Sequence, residues 1–141
     1  MITYSFSIDS IAQIVLARAA LRHILHSDRP ELLTDDHRPA LDILIQRGFN
    51  MLSLAMIPAV VRTDSAPAEG LLTFDLDIPE APGLFPIMEE AIALYVLTCA
   101  YQGVDDTFAL RLRTDYDSLL RRCRSQACLS STRPALRPCW L

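Results

Sequence analysis

Residues 79–103 read PEAPGLFPIMEEAIALYVLTCAYQG, and this stretch decides the fold of the chain. A proline-rich lead-in precedes a long apolar segment that ends at Gly103. Within residues 87–101 the only charges are those of Glu89 and Glu90, close to the start. A helix with so little polar surface is buried on nearly all sides or lies between subunits. The stretch therefore predicts a central helix on which the other elements pack.

The composition favours a single globular domain with surplus apolar surface. The chain has 141 residues, enough to bury a core without disulfides or metals. Hydrophobic residues make up 51%, and the mean hydropathy is +0.24. The longest nearly uncharged run, residues 91–104, has 14 residues and is shorter than a bilayer span. Residues 1–8 lack the features of a secretory signal, so we expect an intracellular protein. Because surplus apolar surface is typical of subunits that associate, we also expect an oligomer.

The sequence before the central stretch predicts two helices. Asp9 or Ser10 is a suitable N-cap for the first, because a short polar side chain accepts hydrogen bonds from free backbone N–H groups. This helix runs to about His26. The second spans about residues 39–56, and Gly48 within it indicates a close helix crossing.

Residues 59–78 predict a β-hairpin or a pair of extended segments. AVVRT is β-branched, DSAPAEG is rich in turn residues, and LLTFDLDIP alternates between apolar and polar residues. An isolated hairpin is only marginally stable in water, so this one must pack on helices or pair with another strand. The alternating residues 2–8, which predict a strand or an extended arm, are a candidate partner in the same subunit or in a neighbouring one.

A fourth helix follows the central one. Asp105 or Asp106 caps its start, and it runs to about Arg124 or Ala127. Its apolar residues recur at three- and four-residue steps: Phe108, Leu112, Tyr116 and Leu119. Because this stripe is narrow, the helix is amphipathic and forms an antiparallel helical hairpin with the central helix inside.

These patterns together predict a mainly α fold, a four-helix bundle with a small β-hairpin or extended segment between helices 2 and 3. Residues 1–128 form a single helical domain that contains the hairpin near residues 59–78. Residues 129–141 contain two X-Pro pairs and no periodic pattern, and we expect an extended C-terminal tail.

Charge is distributed unevenly along the chain. Residues 1–104 carry thirteen acidic residues and six arginines, whereas residues 105–141 carry four acidic residues and seven arginines. All thirteen basic residues are arginine, which forms planar, bidentate contacts at interfaces. An acidic body with a basic C-terminal portion is suited to head-to-tail contacts between subunits.

Two groups of residues resemble metal sites only weakly. His23 and His26 share a helix face, and Asp35, Asp36 and His37 follow, but nothing in the sequence fixes the distance between the groups. Cys99 within the apolar helix is best explained as a packed side chain. The last three cysteines lack the C-x-x-C spacing of zinc sites, and we expect no metal there: Cys123, Cys128 and Cys139.

The sequence contains no catalytic arrangement. Glu89 and Glu90 project about 100° apart on a helix, so they are better explained as partners of the helix dipole than as an acid–base pair. No nucleophile elbow and no glycine-rich phosphate loop is present. We therefore predict a protein that is not an enzyme, with no catalytic residue, cofactor or metal.

Residues 76–122, LDIPEAPGLFPIMEEAIALYVLTCAYQGVDDTFALRLRTDYDSLLRR, resemble the C-terminal helical pair of head–tail connector (adaptor) proteins of tailed bacteriophages. In that family an Ile-Pro segment leads into an apolar helix, and a break containing aspartate leads into a second helix. The matching positions here are Ile78, Pro79, Ala91, Tyr95, Val96, Leu97, Ala100, Tyr101, Asp105, Asp106, Tyr116, Leu119 and Leu120.

The resemblance implies a structural virion protein of the neck, made in the host cytoplasm and located between capsid and tail. Subunits of this family form a ring, usually twelve-fold, beneath the portal protein and bridge it to a tail or stopper protein. DNA passes through such rings without sequence-specific contacts, and no membrane is involved. An acidic lumen would keep the duplex from adhering.

The resemblance also suggests which residues act in assembly. The C-terminal tails of connectors dock on a partner, which implies a docking role for Arg133, Arg137, Trp140 and Leu141. The apolar face of the hairpin and the basic cluster of the fourth helix are the expected assembly surface: Phe74, Leu76, Arg121 and Arg122.

An alternative remains open at this point. A small intracellular α-helical binding or regulatory protein that acts as a homo-oligomer has the same composition and the same helical pattern. The mass of the purified protein separates the two, because only a connector forms rings.

Overall fold

The computed structural model describes residues 2–56, 60–66, 69–78, 81 and 83–130. The described residues form a mainly helical fold with four α-helices and a small antiparallel sheet. In chain order the elements are β1 (Ile2–Ser7), α1 (Ile8–His26), α2 (Arg38–Ala55), β2 (Val60–Ala66), β3 (Leu71–Leu76), α3 (Leu84–Tyr101) and α4 (Asp106–Ser130). Two short 3₁₀ turns, Glu31–Leu33 and Asp35–His37, connect α1 to α2. The predicted fold class is confirmed.

The sheet has three strands in the order β1-β3-β2, and both pairings are antiparallel. In the β1–β3 register Tyr4 lies opposite Phe74, and Phe6 lies opposite Leu72. The N-terminal strand pairs with the hairpin of its own chain, which is one of the two partners that the sequence leaves open. The third strand gives the hairpin the support that an isolated two-stranded unit lacks.

Five aromatic rings pack together between the sheet and the helices. Phe6 of β1 lies 6.0 Å from Phe49 of α2 and stacks on Phe85 of α3 at 5.1 Å between ring centroids. Phe74 of β3 contacts both Phe6 and Phe49 at 5.6 Å. Tyr4 borders the cluster beside Phe74 and Phe85. One face of the sheet is therefore part of the core, and its other face carries hydroxyls such as those of Ser5 and Thr73.

Helix α3 lies at the centre of the bundle and packs against α4, α2 and α1. Eleven of its eighteen residues are buried, among them Ile92, Val96 and Tyr101. Gly48 of α2 lies against it: a Cβ at this position would be 3.2 Å from Cγ2 of Ile92 and from Cδ1 of Tyr95. The central helix and the close crossing at Gly48 are both as the sequence predicts.

Helix α3 is also long and apolar enough to cross a membrane, judged by length and composition among the described residues. The sequence expectation concerned only the nearly uncharged run of residues 91–104, whereas the helix begins at Leu84 and includes Glu89 and Glu90. In the structure 61% of this helix is buried inside the protein, as in the core helix of a globular domain.

Several helix ends differ from the expectation. Ser7, not Asp9 or Ser10, is the N-cap of α1, and its hydroxyl accepts a hydrogen bond from the Ser10 N–H at 3.3 Å. Helix α4 continues to Ser130, beyond the predicted end near residues 124–127. The first two residues of the predicted tail, 129 and 130, are therefore helical. The rest of that tail, residues 131–141, lies outside the described residues.

Candidate assembly surface

The structure separates the four residues expected to form an assembly surface. Phe74 and Leu76 are 1% and 0% exposed and belong to the core. Their assignment to a surface was wrong, because the apolar face of the sheet packs onto α2 and α3 within the same subunit. Arg121 and Arg122 are exposed on α4. They lie more than one turn before the end of the helix at Ser130.

The predicted docking tail lies outside the described residues. Its four named residues are Arg133, Arg137, Trp140 and Leu141, and their role stays a prediction.

Large apolar side chains lie exposed on the surface, most of them on the helices. The described residues include nine that are at least 40% exposed: Leu21, Ile24, Leu25, Ile43, Met51, Leu54, Leu71, Val104 and Leu110. Six of them form two groups on different helices. We call Leu21, Ile24 and Leu25 the α1 patch, and Ile43, Met51 and Leu54 the α2 face.

Both groups follow from helical spacing. The α1 patch has i, i+3 and i+4 spacing, so its three side chains are neighbours at the end of α1. In the α2 face Met51 and Leu54 are neighbours, and Ile43 lies about three turns before Leu54 on the same side, with the exposed Arg47 and Asn50 between them. The sequence gives a signal for the α1 patch, since apolar residues cover too broad an arc of α1 for one buried stripe.

Arg22 joins the end of α1 to the turn between α3 and α4. Its Nε donates to Asp28 Oδ2 at 3.1 Å, and its Nη2 donates to Asp105 Oδ2 at 2.8 Å. The guanidinium lies 3.4 Å from the ring centroid of Phe108 and 5.8 Å from that of Tyr101. The side chain of Arg22 is only 18% exposed, so cation–π contact and ion pairs act together in a partly desolvated site.

Asp105 has two partners at this junction. Its Oδ1 accepts a hydrogen bond from the Phe108 N–H at 3.1 Å, which caps the start of α4 as the sequence predicts. This backbone N–H and then the Arg22 guanidinium hold the pKa of Asp105 below its usual value. The carboxylate is therefore ionised at neutral pH and keeps α4 aligned with α1.

A small pocket lies beside Arg22. Its walls are three apolar side chains and three cationic or titratable ones: Leu21, Leu25, Phe108, Arg18, Arg22 and His26. Its volume is about 190 Å³. Small-molecule sites usually measure about 300–1,000 Å³, so this pocket has the size of one large side chain. A second, more polar depression adjoins it and reaches Asp105 and Arg111.

Glu90 has a different role from the one expected. Helix α3 begins at Leu84, so Glu89 and Glu90 lie in its second turn, where the helix dipole acts weakly. Glu90 instead accepts a hydrogen bond from Arg18 Nη2 at 2.5 Å and links α3 to α1. The expectation that Glu90 is a partner of the helix dipole was therefore wrong, and Glu90 forms an ion pair with Arg18.

The titratable and thiol groups of the described residues do not form a metal centre. No group of three or more His, Cys, Asp or Glu residues could hold a metal among them. Burial raises the pKa of the Cys123 thiol to about 12, so this thiol is a packed side chain and not a nucleophile. Cys99 is half-buried beside Tyr95.

No family model, curated protein or solved structure matches the chain. Its function is therefore inferred from the arrangement of its own residues.

Proposed function

We propose that the chain is a structural subunit of a tailed-phage neck, a head–tail connector (adaptor) that assembles into a ring beneath the portal protein. The observation that carries the assembly part of this proposal is the exposure of two apolar groups, the α1 patch and the α2 face. The location in the neck rests on the resemblance of residues 76–122 to the connector family. Apolar side chains clustered on an outer surface are typical of association surfaces.

A ring requires two different contact surfaces on every subunit. Heterologous interfaces join one surface of a subunit to another surface of the next, and they close when the rotation between subunits allows it. The α1 patch and the α2 face lie on different helices and consist of different residues. They supply the two surfaces that such an interface needs.

The helical pair supports the same proposal. α3 and α4 form the antiparallel hairpin whose sequence resembles the connector family, and this hairpin makes the most extensive packing in the fold. In the proposed ring it is the rigid part of the subunit. In this proposal DNA passes through the ring without sequence-specific contacts, and the neighbouring proteins are the portal above and a tail or stopper protein below.

The test is the mass of the purified protein, measured by light scattering over a range of concentrations. We expect the wild-type chain to form a discrete multi-subunit species. The double variant Met51→Glu/Leu54→Glu places two carboxylates on the α2 face and should lower the assembled fraction at least tenfold, because like charges and lost apolar contact weaken an interface.

Leu110→Glu is the matched control. Leu110 is 68% exposed, as Leu54 is 63% exposed, but it belongs to neither group. It should assemble like the wild type. A wild-type chain that stays a monomer or a dimer at every concentration would contradict the connector proposal, and a stable dimer would favour the alternative of a small helical binding protein.

A further inference from the structure

The outer edge of β1 presents backbone groups for which the described residues supply no partner. The sheet order β1-β3-β2 makes β1 and β2 its two edges. The Ile8 N–H donates to the Gly70 carbonyl at 2.9 Å and continues the β1–β3 register. In an antiparallel pair, residues that bond to the neighbouring strand alternate with residues whose N–H and C=O point the other way. The even-numbered residues of β1 therefore bond to β3, and Thr3 and Ser5 direct their backbone groups outward.

The side chains along β1 leave this edge accessible. Thr3 and Ser5 are exposed, and their hydroxyls turn back over the sheet toward Asp75 and Thr73 of β3. β1 contains no charged residue and no proline, and its register with β3 is continuous. Exposed edges usually carry charges, prolines or a bulge, because these features prevent another chain from pairing there. The edge of β1 has none of the three.

The opposite edge, along β2, has the protection that β1 lacks. The register of β2 with β3 is irregular between Val60 and Arg62. Arg62 and Asp64 also place two charges in this strand. A bulge and charged residues both oppose the addition of a further strand. The sheet therefore has one protected edge and one open edge.

We propose that the open edge of β1 binds an extended segment of a partner protein, which adds a fourth strand to the sheet. The outward N–H and C=O groups of Thr3 and Ser5 repeat at about 7 Å, two residues along a strand, and an extended backbone offers matching groups at the same repeat. Tyr4 and Phe6 face the core between them. The segment that fits alternates in the same way, with apolar side chains toward the helices and small polar ones on the other face.

The strands of a second copy of this chain do not fit the edge. β3 is central and already pairs on both sides, and β2 is protected. Two β1 edges would pair about a two-fold axis, which joins two subunits and cannot continue around a ring. In this respect the inference rests on the proposed function. In the proposed neck the occupant therefore belongs to a different protein that meets the ring.

Hydrogen exchange of the full-length chain, measured by mass spectrometry, tests this inference with the synthetic peptide Lys-Thr-Val-Thr-Val-Thr-Val-Lys. With the peptide present, residues 2–7 should take up about two fewer deuterons at short times, because the amides of Thr3 and Ser5 become hydrogen-bonded. Residues 60–66 should be unchanged. The same peptide N-methylated at every backbone nitrogen has no N–H to donate and should give no protection.

A pair of variants at one position separates the edge from the side chain. Ser5→Pro removes an outward N–H and places a ring at the edge, whereas the bonds of Tyr4 and Phe6 to β3 remain, and it should abolish the protection. Ser5→Ala keeps the backbone and should bind the peptide like the wild type. Circular dichroism checks that Ser5→Pro is folded, and the N-methylated peptide provides the same test without any change to the protein.

The contrary results are distinct. Failure of the peptide to protect residues 2–7, or protection of residues 60–66 in their place, would overturn the inference. Protection of residues 2–7 that grows with protein concentration without peptide would show that a second copy occupies the edge, which contradicts it as well. If the peptide protects residues 2–7 but the wild type never forms a ring, the connector proposal fails and the open edge remains. If the ring forms and the peptide gives no protection, only the edge inference fails.

Discussion

At the scale of the residue, position 48 requires glycine because α2 and α3 lie too close together there for a larger side chain. A Cβ there would contact Ile92 Cγ2 and Tyr95 Cδ1 at 3.2 Å, and the backbone oxygen of Ile92 at 3.3 Å. We predict that Gly48→Leu lowers the free energy of unfolding by about 3 kcal/mol through overpacking. Gly48→Ala should change the free energy of unfolding by less than about 1 kcal/mol. The roughly 1 kcal/mol that alanine gains in helix propensity offsets the cost of the close contacts that its Cβ makes.

Urea denaturation measures both variants, with Asn50→Leu as the control. Asn50 lies on the same helix but is exposed, so leucine there should shift the unfolding free energy by no more than about 0.5 kcal/mol. Equal stability of Gly48→Leu and Asn50→Leu would show that the helices do not cross closely at Gly48.

Two buried groups on α4 give the stability a dependence on alkaline pH. Burial raises the pKa of Tyr116 and that of Cys123, each to about 12, so the folded protein holds these protons to higher pH than the unfolded chain. The resulting stabilisation is complete below about pH 9, where the unfolded thiol begins to ionise, and is lost as the pH rises toward about 12.

We therefore expect the free energy of unfolding to fall steadily above about pH 9, and the fall to be shallower in Cys123→Ala at equal ionic strength. Chemical denaturation at a series of pH values measures this dependence. A wild-type stability that stays constant to about pH 11 would contradict the burial of these groups.

At the scale of the element, the N-terminal strand is an integral part of the core. Phe6 is fully buried among Phe49, Phe74 and Phe85, whereas the next residue toward the N-terminus, Ser5, points to solvent beside Thr73. Phe6→Ala should lower the unfolding free energy by about 3–5 kcal/mol, and Ser5→Ala by no more than about 0.5 kcal/mol. Thermal unfolding of the two variants measures the difference.

If β1 were instead exchanged between subunits, Phe6→Ala would give a different result. In that case the effect of Phe6→Ala would depend on protein concentration and would vanish in the monomer. An effect of the same size at all concentrations supports pairing within one chain.

Arg22 joins the end of α1 to the turn between α3 and α4. Its replacement by methionine keeps the apolar stem but removes both ion pairs, and we expect a loss of about 2 kcal/mol, since hydrogen bonds to charged groups contribute roughly 1.5–3 kcal/mol. Arg111→Met is the control, because Arg111 is exposed and makes no ion pair within the described part of the chain. Equal stability of the two variants would mean that Arg22 does not hold α1 to the α3–α4 turn.

The helices and strands could be predicted from local sequence patterns, but which elements each of their faces packs against could not. The apolar run of α3, the narrow stripe of α4 and the alternation of β3 each identify an element. Alternation tells that Phe74 and Leu76 share one face of a strand, but not whether that face meets the core or a partner. The aromatic rings that decide this come from Phe6, Phe49 and Phe85, far apart in the sequence.

At the scale of the whole molecule, the candidate site depends on contacts between distant segments. Leu21 and Leu25 on α1 become the walls of a pocket only because α4 places Phe108 beside them, more than 80 residues later. Arg22 pairs with Asp105 for the same reason. A single sequence identifies the surplus of apolar residues, whereas the side on which that surplus remains uncovered follows only from the packing.

The central claim is that copies of this chain assemble into a closed ring, and electron microscopy of the purified wild-type protein tests it most directly. We predict ring-shaped particles with a central opening and one rotational symmetry, which disappear in Met51→Glu/Leu54→Glu and persist in Leu110→Glu. Compact two-fold dimers, open filaments or dispersed monomers in the wild-type sample would contradict the account.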